Sequence, residues 1–336
     1  MKEIVINQNN DILIKDIITQ RKNPDNHFLV RTDFCLIEIP IELKLDDSEE
    51  REGKIAKRES RLAVSNCAKV EDVSSLISGI IPGDRVASGA DSVTGDYFLK
   101  KDAVVKLSEG IGGEKACFIG FGASALGAIR KANLELGHKV AVFGQGLSGA
   151  LTAQIARESG AEVAAIDADE DRLNIAEQSG IMGIDFSKAD FLDKLKEFSR
   201  GIGVDIVFIT AKITSKNLWE HAWRMLRPEG TIVITQAQDI NFDHRLLGEK
   251  NINIRVCLGY KMWKDYFPAD NIIHPIGYVR WDLKRDLEEI KNMIINGGIS
   301  TNRLISRRIR VERSDEPLIA LSGQDNDKVG ILLGFS

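Results

Sequence analysis

Residues 138–167 constrain this chain more than any other stretch; they read HKVAVFGQGLSGALTAQIARESGAEVAAID. An apolar run at 140–143 enters a glycine turn, which opens a helical segment at 150–159. A second apolar run at 163–166 follows, and Asp167 closes the unit. The switch of period from strand to helix to strand describes a βαβ unit of a parallel sheet. Each glycine has a physical task. Gly144 permits a tight turn, Gly146 lets the backbone come close to an anion, and Gly149 lets the helix pack closely on the strand. Gln145, Leu147 and Ser148 fill the rest of the turn, and the helix start offers N–H groups to a phosphate. Asp167 stands where a carboxylate accepts hydrogen bonds from a ribose. Glycine turns alone are common, but strand, turn, helix, strand and terminal acid together point to a bound dinucleotide.

The flanking sequence has a different texture on each side. Up to about residue 108 the pattern is short and β-like: EIVIN, DILIKDI, FLVRTDFCLI, DRVAS, DYFLKK and VVKLS, separated by turn-forming residues. Residues 42–60, ELKLDDSEEREGKIAKRES, mix both charge signs and read as a solvated loop or short exposed helix. From about residue 112 helical spacing takes over in EKACFIGFGASALGAIRKANLEL, and strands and helices then alternate to about residue 260. Helices are expected near 170–178, 190–199 and 217–226. Strands are expected at VDIVFIT, at TIVITQ after an RPEG turn, and at INIRVCL. This is an α/β pattern, a doubly wound parallel sheet of the Rossmann kind with six strands in two mononucleotide-binding halves. The tail is irregular over 261–281. It then gives a helix at 283–296, a loop at Gly297 and Gly298, and two strand-like runs, LISRRIRV and VGILLGF.

Composition narrows the partners. The 336 residues accommodate about two domains, and 43% hydrophobic residues suffice for their cores. A net charge of -5, with no basic run interleaved with aromatics, argues against a nucleic-acid surface and for a small-molecule substrate. No apolar run is long enough to span a bilayer and no leader pattern precedes the first strand, so no membrane partner and a cytoplasmic location are expected. The four cysteines, Cys35, Cys67, Cys117 and Cys257, are far apart with no C-x-x-C pair; buried, inert thiols in a reducing compartment are expected.

The order of a β-rich unit, a Rossmann unit and a short tail resembles the medium-chain dehydrogenase/reductase superfamily. The matching words are PGDRVA at 82–87, VVKLSEGI at 104–111, the glycine turn, MLRPEGTIVI at 225–234 and the tail from 286 to 308. The resemblance implies a GroES-like N-terminal domain over 1–112, completed by 272–336, with the Rossmann dinucleotide-binding domain over 113–271. The stretch HPIGYVRWDLKRDLEEI at 274–290 resembles the dehydrogenase half of bi-domain oxidoreductases. This chain ends at Ser336 without the fused partner, so a homodimer or a separate protein in that partner's place stays open.

The resemblance also implies where zinc-dependent members carry their metal ligands. Glu38 stands at the first such position, Ala63, Val64 and Ser65 at the second, and Phe121 at the third. One carboxylate does not make a catalytic zinc site, which needs about three protein donors, so no metal is expected. Alkoxide stabilisation and proton transfer then fall to side chains. The candidates are Tyr260 and Lys261 after the last Rossmann strand, and Tyr278 and Arg280 in the bi-domain-like segment, beside Trp281. His274 is a weaker acid/base candidate, and the plainer role for these aromatics is packing. The strand ends Thr210-Ala211 and Gln236 are expected beside the nicotinamide. Asp167 repels a 2′-phosphate and Arg172 lies five residues on, flanking the adenine or pairing with an acid; NAD(H) is expected over NADP(H). The function expected is a zinc-independent NAD(H)-linked oxidoreductase interconverting an alcohol and a carbonyl on a sugar, cyclitol or nucleotide-linked sugar. Two other readings remain: a non-catalytic nucleotide-binding partner or sensor of the same fold, and, fitting the late acid less well, an S-adenosylmethionine-dependent methyltransferase.

Overall fold

A computed structural model of the chain describes residues 2–6, 11–16, 27–38, 60–61, 64–73, 79–89, 93–211, 216–236, 244–257, 280–311, 319–320 and 329–335. The chain forms two compact units, one of residues 1–121, 283–295 and 305–336, the other of 122–282 and 296–304. The domain limits expected at 112/113 and 271/272 fall short of these breaks. The short helix α1 (Gly113–Ala116) packs on strands β3 (His27–Glu38) and β5 (Val64–Val73). Gly113 lies so close to that sheet that a Cβ there would stand 2.6 Å from Phe34 Cδ2.

Among the described residues the first unit holds two sheets. Strands β1 (Lys2–Ile6), β2 (Asp11–Asp16), β4 (Ser60–Arg61) and β7 (Val93–Thr94) join the late β17 (Ile319–Ala320) in one, ordered β17-β2-β1-β4 with β7 also on β1. In the other, β6 (Arg85–Ser88), β8 (Asp96–Lys100) and β9 (Val104–Lys106) join β16 (Ile305–Val311) and β18 (Gly330–Phe335) in the order β16-β18-β3-β5-β6-β9, with β8 on β3. The apolar tail run thus pairs antiparallel with the long early strand, Leu332 opposite Leu36. Phe28, Val30, Val70, Val86, Tyr97, Leu99 and Val104 close one core. The mixed-charge stretch 42–60, apart from Ser60, lies outside the described residues.

The second unit begins within α2 (Phe118–Ala132) and carries, among the described residues, six parallel strands. These are β10 (Lys139–Phe143), β11 (Glu162–Asp167), β12 (Met182–Asp185), β13 (Val204–Ile209), β14 (Leu226–Ile234) and β15 (Asn253–Val256). Their order is β12-β11-β10-β13-β14-β15. The chain winds outward from β10 through β11 and β12, then crosses back to β13. The carboxyl ends of β10 and β13 therefore flank the topological switch point where such sheets take their ligands. Helices α3 (Leu147–Glu158), α4 (Glu170–Gln178), α5 (Phe191–Phe198), α6 (Lys216–Met225) and α7 (His244–Lys250) are interleaved with the strands. Phe191, Leu195, Trp219 and Met225 of α5 and α6 bury against Phe143, Ile166, Ile184 and Val207 of the sheet. Each such side chain removed from water contributes about 1.5–3 kcal/mol before the entropic cost of ordering it. Helix α8 (Leu283–Ile295) follows in the first unit.

Two local readings change. No strand is legible in the sequence at Met182–Asp185, and β12 forms as an edge strand with one buried residue, Ile184. The expected RPEG turn lies inside β14 instead. Leu226 pairs with Val204 and Thr231 with Ile206, so a bulge absorbs the turn residues, and Glu229 takes the left-handed conformation at φ 61°.

Candidate functional site

The glycine turn leaves β10 at Phe143. Gly144 adopts φ 92°, a conformation open to glycine at little cost, and its N–H donates to the Ile166 carbonyl at 2.8 Å. Gly146 caps α3 with extended backbone and no side-chain hydrogen bond, and the first bond inside the helix runs from Ala150 N to Gly146 O at 2.9 Å. Helix α4 differs: its cap Asp169 accepts from the N–H groups of Asp171 and Arg172. Without such a side-chain cap, the positive end of α3 is open to an outside acceptor. Gly149 has no alternative. A Cβ there would lie 1.8 Å from Gly144 O and 2.6 Å from Thr210 Oγ1.

Neighbouring strands fasten the turn from both sides. From β13, Thr210 N donates to Phe143 O at 2.9 Å, and Thr210 Oγ1 lies 2.7 Å from Gly144 O and 3.0 Å from Phe143 O. Ala211 presses on Gly144, where an added Cβ would meet it at 2.6 Å. From β11, Asp167 Oδ2 accepts the Gln145 N–H at 2.6 Å while Oδ1 accepts the Asp169 N–H at 3.0 Å. Arg172 Nη1 stands 3.5 Å from Asp167 Oδ2, pairing with the acid. Gln145 is 1% exposed; its Nε2 donates to Val142 O at 2.9 Å, and its Oε1 is buried with no hydrogen-bond donor among the described residues. Leu147 is fully buried, and Ser148 O accepts from Thr152 Oγ1 at 2.8 Å.

The remaining sequence candidates separate. Gln236 is half-buried just past Thr235, whose hydroxyl donates to Ile209 O at 3.1 Å. Arg280 is exposed, with its guanidinium 5.1 Å from the centre of the Trp281 ring; Arg130 stacks on the same ring at 3.4 Å. Tyr260, Lys261, His274 and Tyr278 lie outside the described residues. Sequence reasoning passed over Phe186, which follows the strand that sequence did not locate.

In the first unit the stretches aligned with the zinc ligands of relatives do meet. Val64 pairs with Ile37, next to Glu38, and Ser65 pairs with Leu36. Ser65 Oγ accepts the Gly120 N–H at 3.1 Å, beside the buried Phe121, and donates to Ser88 O at 3.3 Å. The residues brought together are one carboxylate, a hydroxyl engaged with backbone and an apolar ring. They do not fit a zinc ion, and among the described residues no three His, Cys, Asp or Glu side chains form a group that could hold a metal. The adjacent interior is polar, and its members bond to one another. Asn66 Nδ2 donates to Tyr97 Oη at 2.9 Å, and Ser88 Oγ lies 3.3 Å from the same phenol. Cys67 accepts from Arg85 Nη2 at 3.3 Å, yet burial pushes its thiol up, and pushes that of Cys117 well up. Both therefore stay protonated and weakly nucleophilic near neutrality.

With this geometry in view, residues 149–273 match the family described as zinc-binding dehydrogenase. An alcohol dehydrogenase from Thermus sp. ATN1 shares the fold at a TM-score of 0.73 and 18% identity, over 100% of each chain. The family match thus lies within the second unit, while the likeness of fold runs over the whole length of the chain. An alcohol dehydrogenase from Cupriavidus necator is 28% identical over 191 residues, 53% of this chain and 52% of its own. The (R,R)-butanediol dehydrogenase of Bacillus subtilis is 30% identical over 200 residues, 59% of this chain and 56% of its own. The matched region thus spans about half the length of these relatives. Among the described residues no helix is long and apolar enough to cross a membrane.

Proposed function

We propose that the protein is an NAD(H)-linked oxidoreductase that interconverts an alcohol and a carbonyl on a hydroxyl-bearing small metabolite without a metal ion. The observation that carries this reading is the glycine turn, held from both neighbouring strands and leading into a helix that no side chain caps. The α3 N-terminus takes the pyrophosphate, and Asp167 accepts a ribose hydroxyl on the lone pairs its backbone partners leave open. A 2′-phosphate would crowd this buried carboxylate, 8% exposed, and so NAD(H) is favoured over NADP(H). The bound cofactor supplies or accepts the hydride.

The protein's own groups do the rest. Thr210, Ala211 and Gln236 close the nicotinamide end. Tyr278 or Tyr260, with Lys261 or Arg280 as the neighbouring cation, donates to the alkoxide oxygen and carries its proton. The metal-free part of this reading rests on the donor set at Glu38, Ser65 and Phe121. A sugar, cyclitol or nucleotide-linked sugar is the substrate class, and the cytoplasm, where buried free thiols persist, is the location. A second copy of the chain or a separate protein is the macromolecular partner, and no nucleic acid or membrane is involved.

That same donor set favours one second reading, a nucleotide-binding partner or sensor that does not turn over. Titrating the protein with NADH and NADPH, then following the nicotinamide absorbance against a panel of polyols, sugars and sugar nucleotides, separates the two. Tighter NADH binding with turnover in the presence of a chelator is the expected result. NADH bound but unchanged across the panel would select the sensor.

A further inference from the structure

The carboxyl edge of the parallel sheet carries three features in spatial order. The glycine turn follows β10, Asp167 ends β11, and Phe186 comes directly after β12. Asp185 pairs with Asp167, and the Phe186 N–H donates to the Asp167 carbonyl at 3.2 Å, so Phe186 is the next residue past the acid along that edge. Neighbouring strands lie about 4.8 Å apart, which puts Phe186 one spacing from the acid and two, roughly 10 Å, from the turn. Phosphate, ribose and base follow one another in an adenosine diphosphate in this order.

The ring is only partly covered by the described residues. It is 36% exposed, one of the large hydrophobic side chains among them left to solvent. Its contact with the Phe143 ring, 5.1 Å between centroids at 47°, steadies it against the residue that precedes Gly144. The chain then turns away at once: the Asp185 carboxylate accepts from Ser187 N at 2.8 Å and from Ser187 Oγ at 2.6 Å. A solvent-facing aromatic ring held in place beside a ribose acid is a stacking surface for a planar base.

We propose that Phe186 is the platform on which the adenine ring of the dinucleotide stacks, an assignment that rests on the dinucleotide reading of the glycine turn. The test measures the affinities of NADH, ADP-ribose and reduced nicotinamide mononucleotide, which lacks adenine, for the unaltered protein and for Phe186→Ala, Phe186→Leu and Phe186→Trp. Phe186→Ala should weaken NADH and ADP-ribose by the same factor, about tenfold, and leave the mononucleotide unchanged. Phe186→Leu, which keeps apolar volume and guards against a folding defect, should weaken both in the same sense by a smaller factor; Phe186→Trp should retain them. Unchanged ADP-ribose affinity in both Phe186→Ala and Phe186→Leu, or equal weakening of the mononucleotide, would overturn the assignment. No NADH binding by the unaltered protein would overturn the dinucleotide reading itself and this assignment with it.

Discussion

Gln154 and Ser300 exchange two hydrogen bonds although 146 residues separate them: Gln154 Nε2 donates to Ser300 O at 3.3 Å, and Ser300 N donates to Gln154 Oε1 at 2.7 Å. The side-chain amide of a buried residue of α3 acts as a backbone mimic, and it ties residues 296–304 into the second unit. Gln154→Leu should therefore lower stability by about 1–3 kcal/mol, the cost of leaving both Ser300 groups without these partners. Thermal melts give the loss, and hydrogen exchange should quicken at 296–304. An unchanged exchange pattern there would refute the tie.

Gly149→Ala should abolish NADH binding and depress the melting temperature. The added methyl group would meet Gly144 O at 1.8 Å, and both neighbours are backbone or fastened to it, so the turn has to open. Overpacking of this kind costs about 1–3 kcal/mol. Retention of NADH affinity within twofold would show that the turn is not the site.

Asp167→Ala and Asp167→Asn should part company. Alanine leaves the Gln145 and Asp169 N–H groups without the carboxylate and should destabilise the protein by about 1–3 kcal/mol. Asparagine keeps one acceptor oxygen but loses the charge, so it should be milder on the melt while narrowing the proposed preference for NADH over NADPH, because Arg172 is then released from its ion pair. Paired titrations with the two cofactors read the second effect. An unchanged ratio in Asp167→Asn would remove Asp167 from cofactor choice.

Acid should find His221. On α6 its Nδ1 is buried with no hydrogen-bond partner among the described residues, and its ring meets Phe191 edge-on at 5.1 Å. Burial, with help from Arg224 and against Glu220, holds its pKa below the ordinary 6.5. Its folded pKa is depressed, so its contribution is full above about pH 6.5 and is lost as pH falls through the lowered folded value. His221→Phe, which keeps a ring and cannot titrate, should show a shallower fall in melting temperature between about pH 7 and pH 5. Parallel melting curves for the two proteins would exclude this histidine as a source of acid sensitivity.

Much of the second unit is legible in the order of its amino acids. The boundaries of α4, α5 and α6 follow the expected spans to within a residue or two, because apolar period and turn residues are local signals. The glycine turn is equally legible, since Gly144 at φ 92° and Gly149 against Gly144 O are demands on single residues. The features that sequence does not reveal have no local period. An edge strand with one buried residue looks like loop, and a bulge that swallows RPEG looks like a turn.

The amino-acid order alone therefore determined that a strand, a glycine turn, a helix and a terminal acid would form a βαβ unit, for the physical reason that all its constraints lie within thirty residues. Only the tertiary structure decided what holds that unit in shape. The Thr210 hydroxyl on the turn carbonyls and the Gln145 N–H on Asp167 join residues 66 and 22 positions apart. Such bonds depend on which strands become neighbours in a sheet, and long-range pairing leaves no trace in the spacing of either partner.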